Sequence, residues 1–332
     1  MDLAQQERPL QPPFPDVVNW SENFCLAGYD PISNISIWLH LGRWRKELTL
    51  WREILTIVLP DGSVIGHRAF GNATATDDGP GAADLAVRVI EDRRKLGYRF
   101  DGMVRRVAAE TLLEGELRDG PRQRLRFDLT FESNAELWDL HKFGGSQQFL
   151  GAGHIEQIGR LTGTIEVDYQ TYDFAGMGNR DHSMGARDTI NMRQHQWLQG
   201  YFENGISFLI YDAVVRGREE PVFSEAVVFE GDAMFAGKLR YPWRIMDVAD
   251  SAKPFEFSID YQGGTLDIEV LRMPGTSYLS FSAPNDIYIG VQNAGDPSRA
   301  MLEQSAILRL NGNVDGFGNL ERTVPGEVAL EP

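Results

Sequence analysis

Short apolar segments separated by turn-forming sequences dominate this chain. Residues 196–202 and 206–215 flank Glu203-Asn204-Gly205, and Asn-Gly between two apolar runs is the strongest short-range signal for a β-hairpin. Residues 122–132 alternate charged and apolar side chains, which is the period of a strand with one face in water. The sequence therefore predicts a mostly β fold built from antiparallel strands.

Helical signals are few. Residues 82–95 carry apolar side chains at helix-like spacing and end in basic residues before Gly97, which predicts one short helix. Many strands with few intervening helices favour antiparallel barrels or sandwiches over a parallel α/β sheet. A chain of 332 residues exceeds what one hydrophobic core usually holds. We therefore expect an N-terminal arm (1–16), an N-terminal β domain (17–175) and a C-terminal β-barrel domain (176–332), with one large continuous sheet as the alternative.

Charge and composition exclude several partners. The formal net charge of -16 repels nucleic acid and anionic membrane surfaces. Apolar runs such as residues 54–59 stop far short of the roughly 20 residues of a membrane-spanning helix. The single cysteine, Cys25, cannot form an internal disulfide, and residues 1–16 do not resemble a secretory signal. We expect a cytoplasmic protein, and the oligomeric state stays open.

Residues 176–187 place an acid, an imidazole, two guanidinium groups and a hydroxyl between three glycines. This composition indicates chemistry, although a tight turn with a surface ion pair would have similar residues. His182 is a candidate proton carrier whose ring Asp181 would orient. Arg180 and Arg187 would lower the pKa of Asp181, or Arg187 would simply hold two domains together.

A second candidate acid follows the motif in sequence. Ile206, Phe208, Ile210 and Asp212 share one face of a predicted strand. A carboxyl group among apolar side chains has a raised pKa and can donate a proton near neutral pH. The alternative is that Asp212 lies at the open end of the strand, in water.

Two aromatic residues occupy alternate positions of the preceding strand. Trp197 and Tyr201 are interpreted either as barrel filling or as an aromatic platform for a substrate. Tyr211 lies on the strand face opposite Asp212 and is expected to be core.

The remaining histidines carry weaker hypotheses. His154 and Glu156 share a strand face and His195 follows the motif, but no spacing matches a known zinc pattern, so no metal is expected. Three other histidines have no companion residues and are interpreted as structural: His40, His67 and His141.

The motif Gly-x-Gly-x-Arg-Asp-His-Ser-x-Gly at residues 176–185 resembles the Gly-x-Gly-x-His-Asp-His-Asn-Trp-Gly signature of the carotenoid 1,2-hydratase (hydroxyneurosporene synthase) family. That family is similar to kievitone hydratase and to fungal decalin-forming Diels-Alderases. Residues 315–321 resemble the closing Gly-aromatic-Gly…Glu element of bacterial relatives. The resemblance implies two lipocalin-like β domains. Met184 stands where the signature has Trp, so an aromatic wall is missing or is supplied from elsewhere.

The resemblance also implies acid-catalysed addition or removal of water, or cyclisation, on a terpenoid- or polyene-like substrate without a cofactor. In the family an aspartate on a strand after the motif protonates the alkene, and Asp212 lies at a comparable distance from His182. Catalysis is therefore assigned to Asp212, His182 and Asp181. Contacts with a small hydrophobic substrate are assigned to Trp197, Tyr201, Phe208, Met184 and Arg180. Two alternatives remain: a lipocalin-like carrier of a hydrophobic ligand, and a structural β protein.

Overall fold

Antiparallel pairing joins the strands of the chain into two separate sheets. The structure is a computed structural model that describes residues 8–72, 79–140, 153–187, 189–240, 244–283, 286–291, 300–325 and 329–330. Contacts divide the chain into two compact units: unit 1 is Met1–Val107 with Arg118–Asp188, and unit 2 is Ala108–Leu117 with Thr189–Pro332. The predicted mostly β fold is confirmed.

Unit 1 contains one sheet. Its path β10-β1-β2-β3-β4-β6-β7-β9 closes into a ring of eight strands because β9 and β10 also pair, while β5 pairs with β6 and β8 with β9. The strands are β1 (Trp20–Asp30), β2 (Ile35–Trp44), β3 (Glu47–Val58), β4 (Ser63–Asn72), β5 (Leu85–Glu91), β6 (Lys95–Ala108), β7 (Arg122–Glu132), β8 (Trp138–Asp139), β9 (Gly153–Val167) and β10 (Gln170–Ala186).

Unit 2 repeats this plan. The path β15-β14-β13-β12-β11-β19-β18-β16 closes through the pairing of β15 with β16, and β17 and β20 pair with β16 outside the ring. The strands are β11 (Met192–Phe202), β12 (Ile206–Val215), β13 (Phe223–Glu230), β14 (Ala233–Arg240), β15 (Phe255–Tyr261), β16 (Gly264–Ala283), β17 (Asp286–Ile289), β18 (Ala300–Leu310), β19 (Val314–Thr323) and β20 (Ala329–Leu330).

Each ring encloses its own apolar core. In unit 1, Leu125, Phe127, Leu129 and Phe131 alternate along β7 with partly or fully exposed residues, and all four belong to one buried cluster. In unit 2, Phe208 and alternate residues of the neighbouring strands form a second cluster. Alternation with a period of two places one strand face inside the ring and the other outside.

Two predictions differ from the structure. Residues 82–95 contain strand β5 rather than a helix, because Leu85, Val87 and Val89 are buried while the residues between them are exposed. Among the described residues the helical segments are short 3-10 turns. The expected domain boundary at 175/176 falls inside β10, and the units divide after Asp188 instead. Gly176, Gly178 and Gly185 of the motif lie within this strand.

The two units share a sequence repeat that the sequence analysis missed. Their first strands contain Leu-x-Gly-Tyr (residues 26–29 and 198–201), and their closing strands contain Gly-x-Gly-Asn-x-acid (residues 176–181 and 316–321). The pairing is equivalent as well: Gly28 lies opposite Gly178 in unit 1, and Gly200 lies opposite Gly318 in unit 2. The motif of residues 176–181 is therefore a structural element that each ring uses once.

The repeated glycines bring the closing strand close to the first strand. A Cβ atom on Gly176 would overlap the carbonyl oxygen of Tyr29, and one on Gly318 would overlap the carbonyl oxygen of Gln199. Only glycine permits backbones to approach this closely. Packing thus explains these glycines, where the sequence analysis had favoured chemistry.

Gly176→Ala and Gly318→Ala are each expected to destabilise their own ring by about 1–3 kcal/mol or more, because backbone atoms must move to admit the methyl group. Urea denaturation of each variant measures the loss. Gly97→Ala is the matched control, since its Cβ would meet only Ile90 Cδ1 at 3.4 Å. Equal stability of all three variants would contradict the explanation.

Candidate functional site

The motif strand β10 is buried on both faces from Asn179 to Gly185. His182 stacks on Phe24 with ring centroids 3.9 Å apart, and Arg180 lies over the ring of Phe131 at 5.9 Å. Both phenylalanines belong to the core cluster, so Arg180 and His182 point into the ring. Asn179 and Asp181 alternate with them and point outward.

The carboxylate that contacts His182 is Glu22 of β1. Glu22 Oε1 lies 3.1 Å from His182 Nε2, and Arg43 Nε donates to Glu22 Oε2 at 2.7 Å. The N-terminal arm joins this network, because Leu10 N–H donates to Glu22 at 2.9 Å and Arg43 donates to Leu10 O at 2.6 Å. Burial alone would raise the pKa of Glu22, but His182 and Arg43 outweigh it and lower that pKa.

Aromatic rings surround this network inside unit 1. Trp51 lies 6.0 Å from Phe24, and the Arg43 guanidinium lies 4.4 Å from the Trp51 ring and 4.5 Å from the Phe14 ring. Cation–π contacts of a desolvated arginine are stabilising. The arrangement is that of a buried Glu22–Arg43 ion pair to which His182 is hydrogen-bonded.

The outward face of β10 carries a different cluster. His154 Nε2 lies 2.9 Å from Glu156 Oε1 and 2.9 Å from Asp181 Oδ2. Asn179 Nδ2 donates to Glu156 Oε2, and Cys25 N–H donates to Asp181 Oδ1 at 3.1 Å. All of these side chains except Cys25 are buried.

The charges of this cluster follow from its geometry. Burial opposes charge on His154, but hydrogen bonds to Asp181 and Glu156 and their charges raise its pKa to about 9. Burial would raise the pKa of Asp181, but His154, with a further contribution from Arg187, lowers it. Burial raises the pKa of Glu156. His154 and Asp181 therefore form an ion pair beside a carboxyl group that holds its proton more tightly than usual.

Asp212 in unit 2 is paired with an arginine. Arg244 Nε and one terminal nitrogen donate to the two carboxylate oxygens at 2.7 and 2.8 Å. The hydrogen bond to Asp212 raises the pKa of Arg244. Asp212 shares its strand face with Phe208 and Ile210, as predicted, but both of its carboxylate oxygens accept hydrogen bonds from Arg244.

A carboxyl pair lies on the outward face of unit 2. Glu303 of β18 and Glu321 of β19 are directly opposite in register, the positions that Glu156 and Asp181 occupy in unit 1. Burial, followed by the charge and hydrogen bond of Glu321, raises the pKa of Glu303 well above its ordinary value. Glu303 Oε1 is buried and has no hydrogen-bond partner among the described residues.

His195 completes this group. Its Nε2 forms a short contact with Glu321 Oε1, and its Nδ1 lies 2.9 Å from Thr323 Oγ1. The Thr323 hydroxyl donates to His195 O at 2.7 Å, so the ring nitrogen Nδ1 is the donor to Thr323 Oγ1. In this arrangement Nδ1 faces Thr323 and Nε2 faces Glu321.

Aromatic side chains flank the carboxyl pair. In the strand register, Trp197 of β11 lies directly opposite Glu321 of β19. On its other side, Trp197 lies directly opposite Tyr211 of β12. Tyr211 stacks on His195 with centroids 6.2 Å apart, and Phe281 meets His195 edge-on at 5.3 Å. A proton-holding carboxyl pair thus lies in an aromatic environment.

The sequence matches one family over most of its length. Residues 4–238 match a domain of unknown function, DUF7064. The chain belongs to the DUF7064 family. No curated protein matches it. The DUF7064 match includes β10, Trp197 and Asp212, and it ends before Glu303 and Glu321.

Solved structures share the fold at low identity. A protein described as an AttH candidate from Nitrosomonas europaea has a TM-score of 0.59 at 11% identity, over 95% of this chain and 98% of that one. Kievitone hydratase from Nectria haematococca has a TM-score of 0.52 at 12% identity, over 93% of this chain and 90% of that one. CghA has a TM-score of 0.56 at 9% identity, over 100% of this chain and 98% of that one. At these identities the likeness shows the fold, and it confirms the two lipocalin-like domains that the motif resemblance implied.

The structure of this DUF7064 member separates the predicted catalytic residues. Asp181 and His182 lie on opposite faces of β10, and Glu22 takes the contact with His182 that was assigned to Asp181. Asp212 belongs to unit 2, where Arg244 binds it. Arg244 lies in a loop far along the sequence, so no local pattern could reveal this pairing. The assignment of these three residues to catalysis stays a prediction.

The predicted substrate contacts also fall into two groups. Trp197 and Tyr201 share the outward face of β11 with His195, and Tyr201 donates to Gln199 Oε1 at 3.0 Å. The other three point into a ring: Phe208 packs against Phe257, Met184 lies opposite Glu22, and Arg180 binds Gln157 Oε1.

The sequence analysis missed Glu303, Glu321 and Glu22. A signal was available for the first two, because Glu-Gln precedes the closing strand in both units (residues 156–157 and 303–304). Comparison of the two repeats would have aligned these carboxyl groups.

Among the described residues, no helix is long and apolar enough to cross a membrane.

Proposed function

We propose that this protein is a cofactor-independent acid–base enzyme, a hydratase, dehydratase, isomerase or cyclase, that acts on a small hydrophobic terpenoid- or polyene-like substrate in the cytoplasm. Glu303 is the proposed general acid. The observation that carries this assignment is a buried carboxyl group with a raised pKa, one oxygen without a partner and a second carboxyl group opposite it. Such a group keeps its proton near neutral pH and can transfer it.

The proposed reaction uses only the Glu303 carboxyl group and the substrate. In a dehydration, Glu303 protonates the leaving hydroxyl of the substrate, the C–O bond breaks and water leaves. The resulting carbocation then loses a neighbouring proton to the Glu303 carboxylate, which restores the acid and forms the alkene. Hydration is the reverse, and attack of a second double bond on the cation gives ring closure.

Neighbouring groups support both halves of this cycle. Glu321, held by His195, is poised to share the proton that Glu303 loses and regains. Ring faces attract positive charge, so Trp197, Tyr211 and Phe281 would stabilise the cation and bind the apolar substrate. Kievitone hydratase shares the fold, and CghA, which shares it too, has been crystallised with Sch210972.

Turnover of a panel of acyclic terpenoid alkenes and tertiary alcohols in D₂O tests the proposal. Mass spectrometry detects gain or loss of water, and deuterium incorporation detects isomerisation and ring closure. Glu303→Gln is expected to lower the rate by about 100-fold or more, because it removes the transferable proton. Glu256→Gln, an exposed carboxyl change on β15, is the control and should retain full activity.

The outcomes separate the candidate functions. Retained activity in Glu303→Gln would refute the role of Glu303, and loss of activity in Asp212→Asn would return the role to Asp212. Binding of the panel without turnover would favour a lipocalin-like carrier.

A further inference from the structure

We propose that unit 1 binds one divalent transition-metal ion, Zn²⁺ as the best fit, through His154 Nε2, Glu156 Oε1 and Asp181 Oδ2. This site lies on the outward face of β9 and β10 and is independent of the proposed catalytic group in unit 2. It departs from the sequence analysis, which expected no metal.

The ligand atoms already converge on one point. His154 Nε2 is 2.9 Å from each carboxylate oxygen, and all three atoms lie within 4.8 Å of one another. Ligands about 2.0–2.2 Å from a tetrahedral zinc ion lie roughly 3.3–3.6 Å from each other, so outward shifts of a few tenths of an ångström would admit the ion. One imidazole and two carboxylates also supply two negative charges, which balance a divalent cation.

Both carboxylate groups approach the same nitrogen of His154. A ring nitrogen carries at most one proton, yet two carboxylate oxygens approach Nε2 equally. A metal ion satisfies all three atoms at once.

The surroundings hold the ligands in the way that metal sites do. Asn179 Nδ2 donates to the other oxygen of Glu156, and Cys25 N–H donates to the other oxygen of Asp181. Each carboxylate is thus fixed through one oxygen and presents the other, which is the second layer of contacts that orients metal ligands.

Two buried polar atoms nearby have no partner, and they are the independent sign of a missing ligand. Ser183 Oγ and Asn179 Oδ1 are unpartnered among the described residues, and both side chains lie on the outward face beside Asp181. Ser183 is directly opposite His154 in the strand register. A metal with its bound water would satisfy groups in these positions.

The other histidine–carboxylate cluster of unit 1 lacks these features. Glu53 contacts His67 Nε2 at 2.8 Å, but its oxygens also accept the backbone N–H groups of Asp84 and Leu85 at 3.0 and 2.7 Å. Both carboxylate oxygens of Glu53 accept backbone hydrogen bonds, and these bonds fix residues 84–85. His67 is therefore a suitable control position.

Titration of the chelator-treated full-length chain with ZnCl₂ in a calorimeter tests the site. We expect one ion per chain, with affinity lowered at least about 100-fold in Asp181→Asn and in Glu156→Gln, and unchanged in His67→Gln. Co²⁺ should give visible absorption bands that Glu156→Gln removes. Thermal melting of each metal-free variant verifies folding. Zn²⁺ should raise the melting temperature of the wild type and of His67→Gln, and should raise it less or not at all in Asp181→Asn and Glu156→Gln.

Two results would overturn the proposal. One is the absence of saturable binding in the wild type, which would mean that the cluster holds protons alone. The other is equal binding by the wild type and a folded Asp181→Asn or Glu156→Gln variant, which would place the ion elsewhere.

Discussion

Replacing Arg43 by methionine is expected to destabilise unit 1 by about 3–5 kcal/mol, because the change leaves the Glu22 carboxylate buried without its arginine partner. Glu22 is fully buried, and Arg43 Nε lies 2.7 Å from it. The same guanidinium donates to Leu10 O and Leu48 O, so two carbonyl groups also lose their donor. Urea denaturation followed by tryptophan fluorescence measures the loss.

A surface pair provides the control. Arg124 and Asp101 are similarly close, at 2.8 Å, but their side chains are 65% and 52% exposed. Arg124→Met should cost less than about 1 kcal/mol, because water and salt screen an exposed pair. The double variant Arg43→Met with Glu22→Gln should recover part of the loss, since no buried charge remains unpaired. If Arg43→Met costs no more than Arg124→Met, the ion pair does not stabilise the ring.

Glu303→Gln is expected to become more stable relative to the wild type as the pH rises from 5 to 7, because only the wild type loses stability over this range. Burial and Glu321 raise the pKa of Glu303 in the folded chain, and unfolding returns it to its ordinary value of 4.5. Wild-type stability is therefore fully present below pH 4.5 and falls by about 1.4 kcal/mol per pH unit up to the raised pKa. Glutamine does not titrate and avoids this loss.

Urea denaturation at pH 5, 6 and 7 measures the difference between the two proteins. Glu256→Gln is again the control, because the exposed Glu256 carboxyl group should leave the wild-type pH profile unchanged. Parallel profiles for the wild type and Glu303→Gln would contradict the raised pKa of Glu303. They would also remove the physical basis of its proposed role as an acid.

The sequence predicted the fold class and the faces of individual strands well, because both depend on local alternation of apolar and polar residues. The Asn204-Gly205 turn joins β11 to β12 as expected, and Asp212 shares its face with Phe208. It did not predict the strand character of residues 85–91. Their alternation is correct for a strand, but the charged residues beyond Glu91 imitate the end of a helix.

The candidate sites depend on pairings between distant strands, which local patterns do not encode. Glu22 meets His182 only because β1 pairs with β10, and Asp212 meets Arg244 through a loop. The predicted partnership of Asp181 with His182 joined neighbours in sequence, whereas alternation sends neighbours to opposite faces. The repeat of Glu-Gln and Gly-x-Gly-Asn could have predicted Glu303 opposite Glu321, because equivalent strands pair in equivalent register.

The segment Ala108–Leu117 belongs to unit 2, although the chain on both sides of it belongs to unit 1. Its backbone is hydrogen-bonded to the backbone of Ile289 and Val291, which are synthesised much later. During synthesis the first ring can close once β10 has emerged. This inserted stretch must wait for residues 289–291 before Leu117 N–H finds its acceptor and Leu112 O finds its donor. A fragment truncated at residue 187 would carry the stretch without those hydrogen-bond partners, so gene fragments of the first unit should replace it with a short polar linker.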